Sequence, residues 1–227
     1  MTHIQHQQGS TSYRTVRRHL FGGAITAELP QSFIDASELR QVPDNQEVMI
    51  SSSSDTSIIL EVLESVKEGD ANENMEAAVR YHFDSLAHDN SALSSTIEST
   101  TFLDTSSFPV PPPLPDASSI VPRERTPSPW LVSGLQVVPK YGRTTDPPHC
   151  VRIHLAVWRL RPKKDVDLVL SFNIPQPQPQ PTAAGETAAN AGSEMVSEHV
   201  SRDEAILAEV FRKAASTLTI EDWNLFS

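Results

Sequence analysis

The most constraining feature of this sequence is a pair of alternating apolar runs in its second half. Val151, Ile153, Leu155 and Val157 recur at every second position, and so do Val166, Leu168, Leu170, Phe172 and Ile174. Successive side chains on a strand point to opposite faces, so a period of two marks one apolar face of a β-strand. The polar stretch Arg161-Pro162-Lys163-Lys164 turns the chain between them. Two such runs with a short connection form an antiparallel hairpin, which alone is marginal in water. The rest of the chain must supply more strands and a cover for the apolar face.

The remaining periodicities do so. His19–Pro30 alternates Phe21, Gly23, Ile25, Ala27 and Leu29 and reads as one strand with a Gly-Gly irregularity. Gln46–Ile50, Thr96–Leu103 and Trp130–Tyr141 read as further strands, and Ile34–Leu39 as a turn or single helical turn. Three segments carry helical stripes. Asp55–Lys67 lines up Ile58, Ile59, Val62, Leu63 and Val66, and Glu73–Ala87 lines up Met75, Ala78, Val79, His82, Phe83 and Leu86. The third opens at Ser201-Arg202-Asp203-Glu204, a capping-box spacing, and continues through Ile206, Leu207, Val210, Phe211 and Ala214. The tail Leu218–Phe226 packs back through Trp223 and Phe226. The fold class is α/β, a mainly antiparallel sheet covered by helices.

Not all of the chain can join that core. Hydrophobic residues make up 38% of it, below the roughly 45–50% of ordinary globular chains. Of eighteen prolines, eight lie between Pro109 and Pro129 and four between Pro175 and Pro181. Neither stretch has strand or helix periodicity, so disordered loops are expected at about 106–129 and 175–200. Residues 1–18 read as a polar, disordered tail and 19–227 as one domain.

Several function classes lose support. Cys150 is the sole cysteine, so an intramolecular disulfide is ruled out and a reducing compartment suits the chain. Apolar runs such as Ile58–Leu60 are too short to span a bilayer, so no membrane association is expected. Residues 28–104 carry sixteen acidic and three basic residues, whereas 123–173 carry nine basic and four acidic. An acidic surface of this size repels phosphate backbones and attracts basic partners, which disfavours nucleic acid. Phosphate-cradling glycine loops and a Gly-x-Ser-x-Gly elbow are missing, so neither a nucleotide cofactor nor a small-molecule substrate is expected. His149 and Cys150 would point to opposite faces of a strand, which argues against a metal site. His82 falls on an apolar stripe and reads as a core histidine bonded to a neighbour. Thr126-Pro127-Ser128-Pro129 has the form of a proline-directed phosphorylation site, a common chance pairing in such loops. The chain is not expected to be an enzyme.

One segment stands out chemically. Phe33–Val48, FIDASELRQVPDNQEV, places Asp35, Glu38, Asp44 and Glu47 around a proline-containing connection that enters a strand. Pro43 biases Val42 towards an extended conformation, and Asp44-Asn45 favours a turn. Residue chemistry leaves two readings equally open, a solvated strand cap or a rigid acidic prong offered to a basic partner.

LFGGAI (Leu20–Ile25) followed by this segment resembles the signature of the Ran guanine nucleotide release factor family. Further matches are SIILEVLE (Ser57–Glu64), RYHFDSL (Arg80–Leu86) and DVDLVLSFNIP (Asp165–Pro175), in family order across nearly the whole chain. The two proline-rich stretches depart from the family and look like loop insertions. The resemblance implies a six-stranded antiparallel sheet sandwiched by helices, the PsbP-like fold. It also implies a monomer of nucleus and cytoplasm that binds the small GTPase Ran and promotes release of its nucleotide, or an adaptor that binds Ran without releasing nucleotide. The family's Pro-Asp-x-Gln-Glu residues implicated in Ran contact fall here on Asp44 and Glu47, with Asp35, Asn45 and Gln46 beside them.

Overall fold

A strand whose two neighbours are both supplied by the same chain leaves no backbone amide unpaired, and the alternating hairpin sits in such a position. The computed structural model describes residues 13–108, 124–139, 147–177 and 190–226, with backbone alone over 190–202. In chain order the elements are β1 (Thr15–Leu20), β2 (Ile25–Pro30), β3 (Phe33–Asp35), β4 (Gln46–Ser51) and β5 (Ser57–Glu64). Helix α1 (Met75–Asp89), β6 (Ser94–Phe102), β7 (Trp130–Val138), β8 (His149–Arg159) and β9 (Val166–Pro175) follow. Helix α2 (Asn190–Thr217) and β10 (Thr219–Ile220) close the chain. Seven strands form one sheet in the order β3-β4-β5-β9-β8-β7-β6, and β1, β2 and β10 form a second with β2 in the middle. Every pairing is antiparallel. Six strands of the large sheet have six or more residues, matching the expected six-stranded sheet; β3 adds a three-residue edge.

Alternation distributes the hairpin between two cores. Ile153, Leu155 and Val157 of β8 face Val79 and Phe83 of α1, together with Val132 and Val169. Ala156 and Trp158, with Leu168, Leu170 and Phe172 of β9, face Val210, Phe211 and Ala214 of α2 and Ile25, Leu29 and Ile220 of the small sheet. Helix α1 opens at Asn74, whose side chain accepts from the amides of Glu76 (2.8 Å) and Ala77 (3.2 Å). At Gly134 the ring of Phe83 and the carbonyl of Thr96 approach so closely that a β-carbon would lie 2.8 Å and 2.2 Å from them, so only glycine fits beneath α1 there.

Four expectations need correction. Asp55–Lys67 is not a helix, since Ser57–Glu64 is the strand β5, paired on both sides. Apolar residues on both faces of an eight-residue central strand imitate a helical stripe, and the neighbouring strands decide the matter. Two helices therefore cover the sheet, not three. His19–Pro30 is two strands, because Phe21, Gly22 and Gly23 take positive φ (49°, 64° and 96°) and fold β2 back on β1. With β1 starting at Thr15, the tail ends before residue 15, and Arg17 is held by Glu221 at 2.7 Å. Helix α2 is already under way at Asn190, so Ser201 does not begin it. Most of the expected loops (109–123 and 178–189), the tail to residue 12 and the end of the strand at Tyr141 lie outside the described residues. Thr126, placed in the first loop, accepts the Ile220 amide at 2.8 Å, and Ser128 bonds Thr105.

A buried carboxylate organises the α1 side. Asp167, wholly inaccessible, accepts from Arg159 Nε and Nη2 (2.8 Å each), Ser65 Oγ (3.1 Å) and the Val66 amide (3.2 Å), and bonds His82 Nε2 at 3.0 Å. Burial alone would raise its pKa; Arg159, then His82 and the Val66 amide outweigh that and hold it well below the usual carboxylate range. His82 is thus the neighbour-bonded core histidine expected from its stripe.

Two stability predictions follow from these buried groups. Asp167→Ala leaves the Arg159 guanidinium buried without its counterion, and removing one partner of such a pair costs about 3–5 kcal/mol; urea unfolding at pH 7 measures the loss. His154 is buried, bonded through Nδ1 to Ser133 Oγ at 2.7 Å, and stacked on Phe211. Burial, helped by the charge of Arg152, pushes its pKa from 6.5 down to about 4. The unfolded chain takes up this proton first, so the stability tied to neutral His154 is full above pH 6.5 and lost as pH falls to 4. The loss should be about 3 kcal/mol. Glu47 and Glu61, raised mainly by burial, act in the opposite sense around and above pH 4.5. His154→Leu should flatten the acid limb of unfolding free energy against pH, and an unchanged limb would refute the assignment.

Candidate functional site

The acidic segment is built at the β3 edge of the large sheet. Phe33 is buried and anchors β3, which pairs with β4 through Ile34–Ile50 and Asp35–Met49. Asp35 then caps the short 3-10 turn Ala36–Glu38, accepting from the Ser37 amide at 2.8 Å. The chain re-enters β4 through Pro43–Gln46, where the Gln46 amide donates to the Pro43 carbonyl at 3.0 Å. Asn45 clips this turn to β5: its carbonyl accepts from the Val62 amide (2.9 Å) and its side-chain nitrogen donates to the Val62 carbonyl (3.3 Å). Gln46 donates to Glu61 at 2.6 Å. A turn closed internally and clipped to β5 by Asn45 and Gln46 is a rigid platform.

Three of the four carboxylates of the segment, those of Asp35, Asp44 and Glu47, sit in different environments. Asp44 is exposed, and among the described residues its carboxylate has no hydrogen bond or ion pair. It is the prong. Glu47 is half-buried and accepts the Phe21 amide at the left-handed turn between β1 and β2. Burial pushes its carboxyl above the usual range, the Phe21 amide opposes this, and the charge of Asp35 adds to it. Asp35 therefore lies close enough to be felt by Glu47 while its own oxygen is used locally. All five candidate residues, Asp35, Asp44, Asn45, Gln46 and Glu47, fall on this one edge. The contact between Glu47 and Phe21 brings together the two sequence motifs LFGGAI and PDNQEV.

Sequence reasoning missed an apolar component. Leu39 is 67% exposed and Ile34 38%, on the segment that carries Asp35 and Glu38. The available signal was a leucine set between Glu38 and Arg40, outside any alternating or helical stripe. Among the described residues no group of three or more His, Cys, Asp or Glu is placed to hold a metal ion, and no helix is long and apolar enough to cross a membrane. His149, Cys150 and His154 lie along β8, where Ser133 engages His154.

The chain has clear relatives. A family model described as Ran-interacting Mog1 protein matches residues 18–175, which span the Phe21–Gly23 turn, the acidic edge and the β8–β9 hairpin. The Ran guanine nucleotide release factor of Danio rerio is 38% identical over 161 residues, covering 70% of this chain and 77% of that one. Its Homo sapiens namesake is 33% identical over 207 residues, covering 91% and 94%. In fold, the chain is similar to the crystal structure of the Saccharomyces cerevisiae Ran-binding protein Mog1p, with a TM-score of 0.65 at 23% identity, covering 95% of this chain and 100% of that one. With the family model matched over most of its length and its two signature motifs joined at one sheet edge, this chain belongs to the Ran-interacting Mog1 protein family.

Proposed function

We propose that this protein binds the small GTPase Ran through the β3–β4 edge and promotes release of its guanine nucleotide, acting as a monomer in nuclear protein transport, in nucleus and cytoplasm. The observation that carries this reading is Asp44, an exposed carboxylate without a partner among the described residues, on a turn closed by the Gln46 amide on the Pro43 carbonyl and clipped to β5 through Asn45. A preformed charge loses little conformational freedom on binding, which favours a specific basic partner over a diffuse one. Relatives named as Ran guanine nucleotide release factors and, in Schizosaccharomyces pombe, as nuclear import protein mog1 support the partner and the process.

The physical route is linkage. A GTPase holds its phosphates with a P-loop lysine and Mg²⁺. A partner that prefers the empty form must weaken nucleotide affinity by the same factor by which nucleotide weakens the partner. A coupling of about 3–4 kcal/mol corresponds to several-hundred-fold. The protein itself performs no bond chemistry in this reading; its carboxylates engage a basic group at or beside the nucleotide site.

Two measurements test it. Asp44→Ala and Glu47→Gln should each weaken Ran binding by at least tenfold, since truncating a desolvated charged contact typically costs about 2–5 kcal/mol. Gln at position 47 still offers an oxygen to the Phe21 amide, so circular dichroism and melting temperature should stay at wild-type values and the affinity loss reports the charge. Unchanged calorimetric affinity in both variants would exclude this edge as the contact. Separately, stoichiometric protein should accelerate loss of labelled GTP from Ran without hydrolysing it, and excess free GTP should displace the protein. Tight binding with an unaltered nucleotide off-rate at saturation would mean equal affinity for loaded and empty Ran, and an adaptor role in place of release.

A further inference from the structure

We infer that Leu39, supported by Ile34, is the apolar anchor of the Ran interface, and that the partner surface it meets is an apolar socket rimmed by basic groups. This rests on the reading of the β3–β4 edge as the Ran site and names the part of it that excludes water.

Charge alone does not make a tight, slowly dissociating interface. Charged contacts steer encounter and set its salt dependence, and they hold affinity only where apolar side chains at the centre of the patch exclude water from them. The carboxylates of the acidic edge need such a centre. Five large hydrophobic residues are exposed among the described ones: Ile34, Leu39, Leu93, Phe102 and Phe108. Leu93 and Phe102 belong to the β6 side, the opposite edge of the seven-stranded sheet, where Phe102 already packs on Trp130 with ring centroids 5.8 Å apart, and Phe108 closes the Thr105–Phe108 turn that follows β6. Leu39 and Ile34 stand on the segment that carries Asp35 and leads into Asp44 and β4, at the edge where the five candidate residues lie. The five chain steps from Leu39 to Asp44 reach at most about 18 Å even when fully extended. Both fit inside one footprint of about 800 Å² per partner.

The fold explains why Leu39 is not simply core. Ala36 of the same 3-10 turn is buried and its carbonyl accepts from the amides of Leu39 and Arg40 (3.0 and 2.9 Å), so the turn is fixed with Leu39 left in solvent at 67% exposure. Its neighbours Ser37, Glu38, Arg40 and Gln41 are exposed as well. A leucine held outward on a rigid turn in a region with sixteen acidic and three basic residues fits an apolar contact surrounded by positive charge.

The test is calorimetric titration of the full chain against Ran at two salt concentrations. Leu39→Ala should weaken binding at least fivefold and Leu39→Asp further, with melting temperature unchanged because the side chain is mostly in water. Leu39→Ala should keep the wild-type salt dependence, whereas Asp44→Ala should reduce it, which separates an apolar contact from a charge. Leu93→Ala, removing an equally exposed leucine at the other edge, should bind as wild type. Wild-type affinity in Leu39→Ala, or an equal loss in Leu93→Ala, overturns this inference while leaving the Ran site standing. Failure of the wild-type chain to bind Ran removes both.

Discussion

The carboxylate of Asp167 is the interaction on which the α1 half of the molecule depends. It sits in β9, the strand buried on both faces, and gathers groups from β8, α1 and the segment after β5. A charge removed from water is costly, and here the cost is met by a two-pronged guanidinium plus three further hydrogen bonds. Arg159 extends the network, donating to the carbonyls of Ala71 and Asn72, and Arg161 donates to those of Val66 and Asn72. Together they fix residues 65–72 and so the start of α1. The buried polar core acts as a registration device: it is satisfied in one arrangement of sheet, helix and connecting loop.

That arrangement leaves β4 and β3 at the far edge of the sheet. β9 and β5 are central and apolar on both faces, so β4 and the very short β3 form a margin with polar and acidic side chains. The margin is stiffened from two directions, by Asn45 on β5 and by Glu47 on the Phe21 amide. Glu47 also ties the large sheet to the small one, because Phe21 lies in the turn between β1 and β2. Position and rigidity at the site therefore derive from packing elsewhere in the fold.

Much was legible from local pattern. The period-two runs marked β8 and β9 and their connection, the stripe over Met75–Leu86 marked α1, and the stretch entering Gln46 marked β4, because in the first three the spacing of apolar residues reports a face turned to a core. Ser57–Glu64 misled for a physical reason: apolar residues on both faces of a central strand blur the alternation of its sequence and imitate a helical stripe. The reversal at Phe21–Gly23 was hidden because alternation continues through it, Phe21, Gly23 and Ile25 keeping step across a turn that needs positive φ.

The sequence by itself determined the fold class and the acidic segment Asp35–Glu47, since period and turn chemistry are local properties of the chain, and its motifs carried the family resemblance. Only the tertiary structure decided what each of those carboxylates faces. Asp44 and Glu47 are three residues apart on one turn and strand, yet one stands in solvent and the other is half-buried against an amide twenty-six positions away. Likewise Leu39 and Phe33 are both apolar residues of one short segment, and exposure separates them, 67% against 2%, because Phe33 packs into the core beside Tyr13 whereas the 3-10 turn holds Leu39 in solvent. Burial is a relation between distant parts of the chain, so no local pattern could have assigned it.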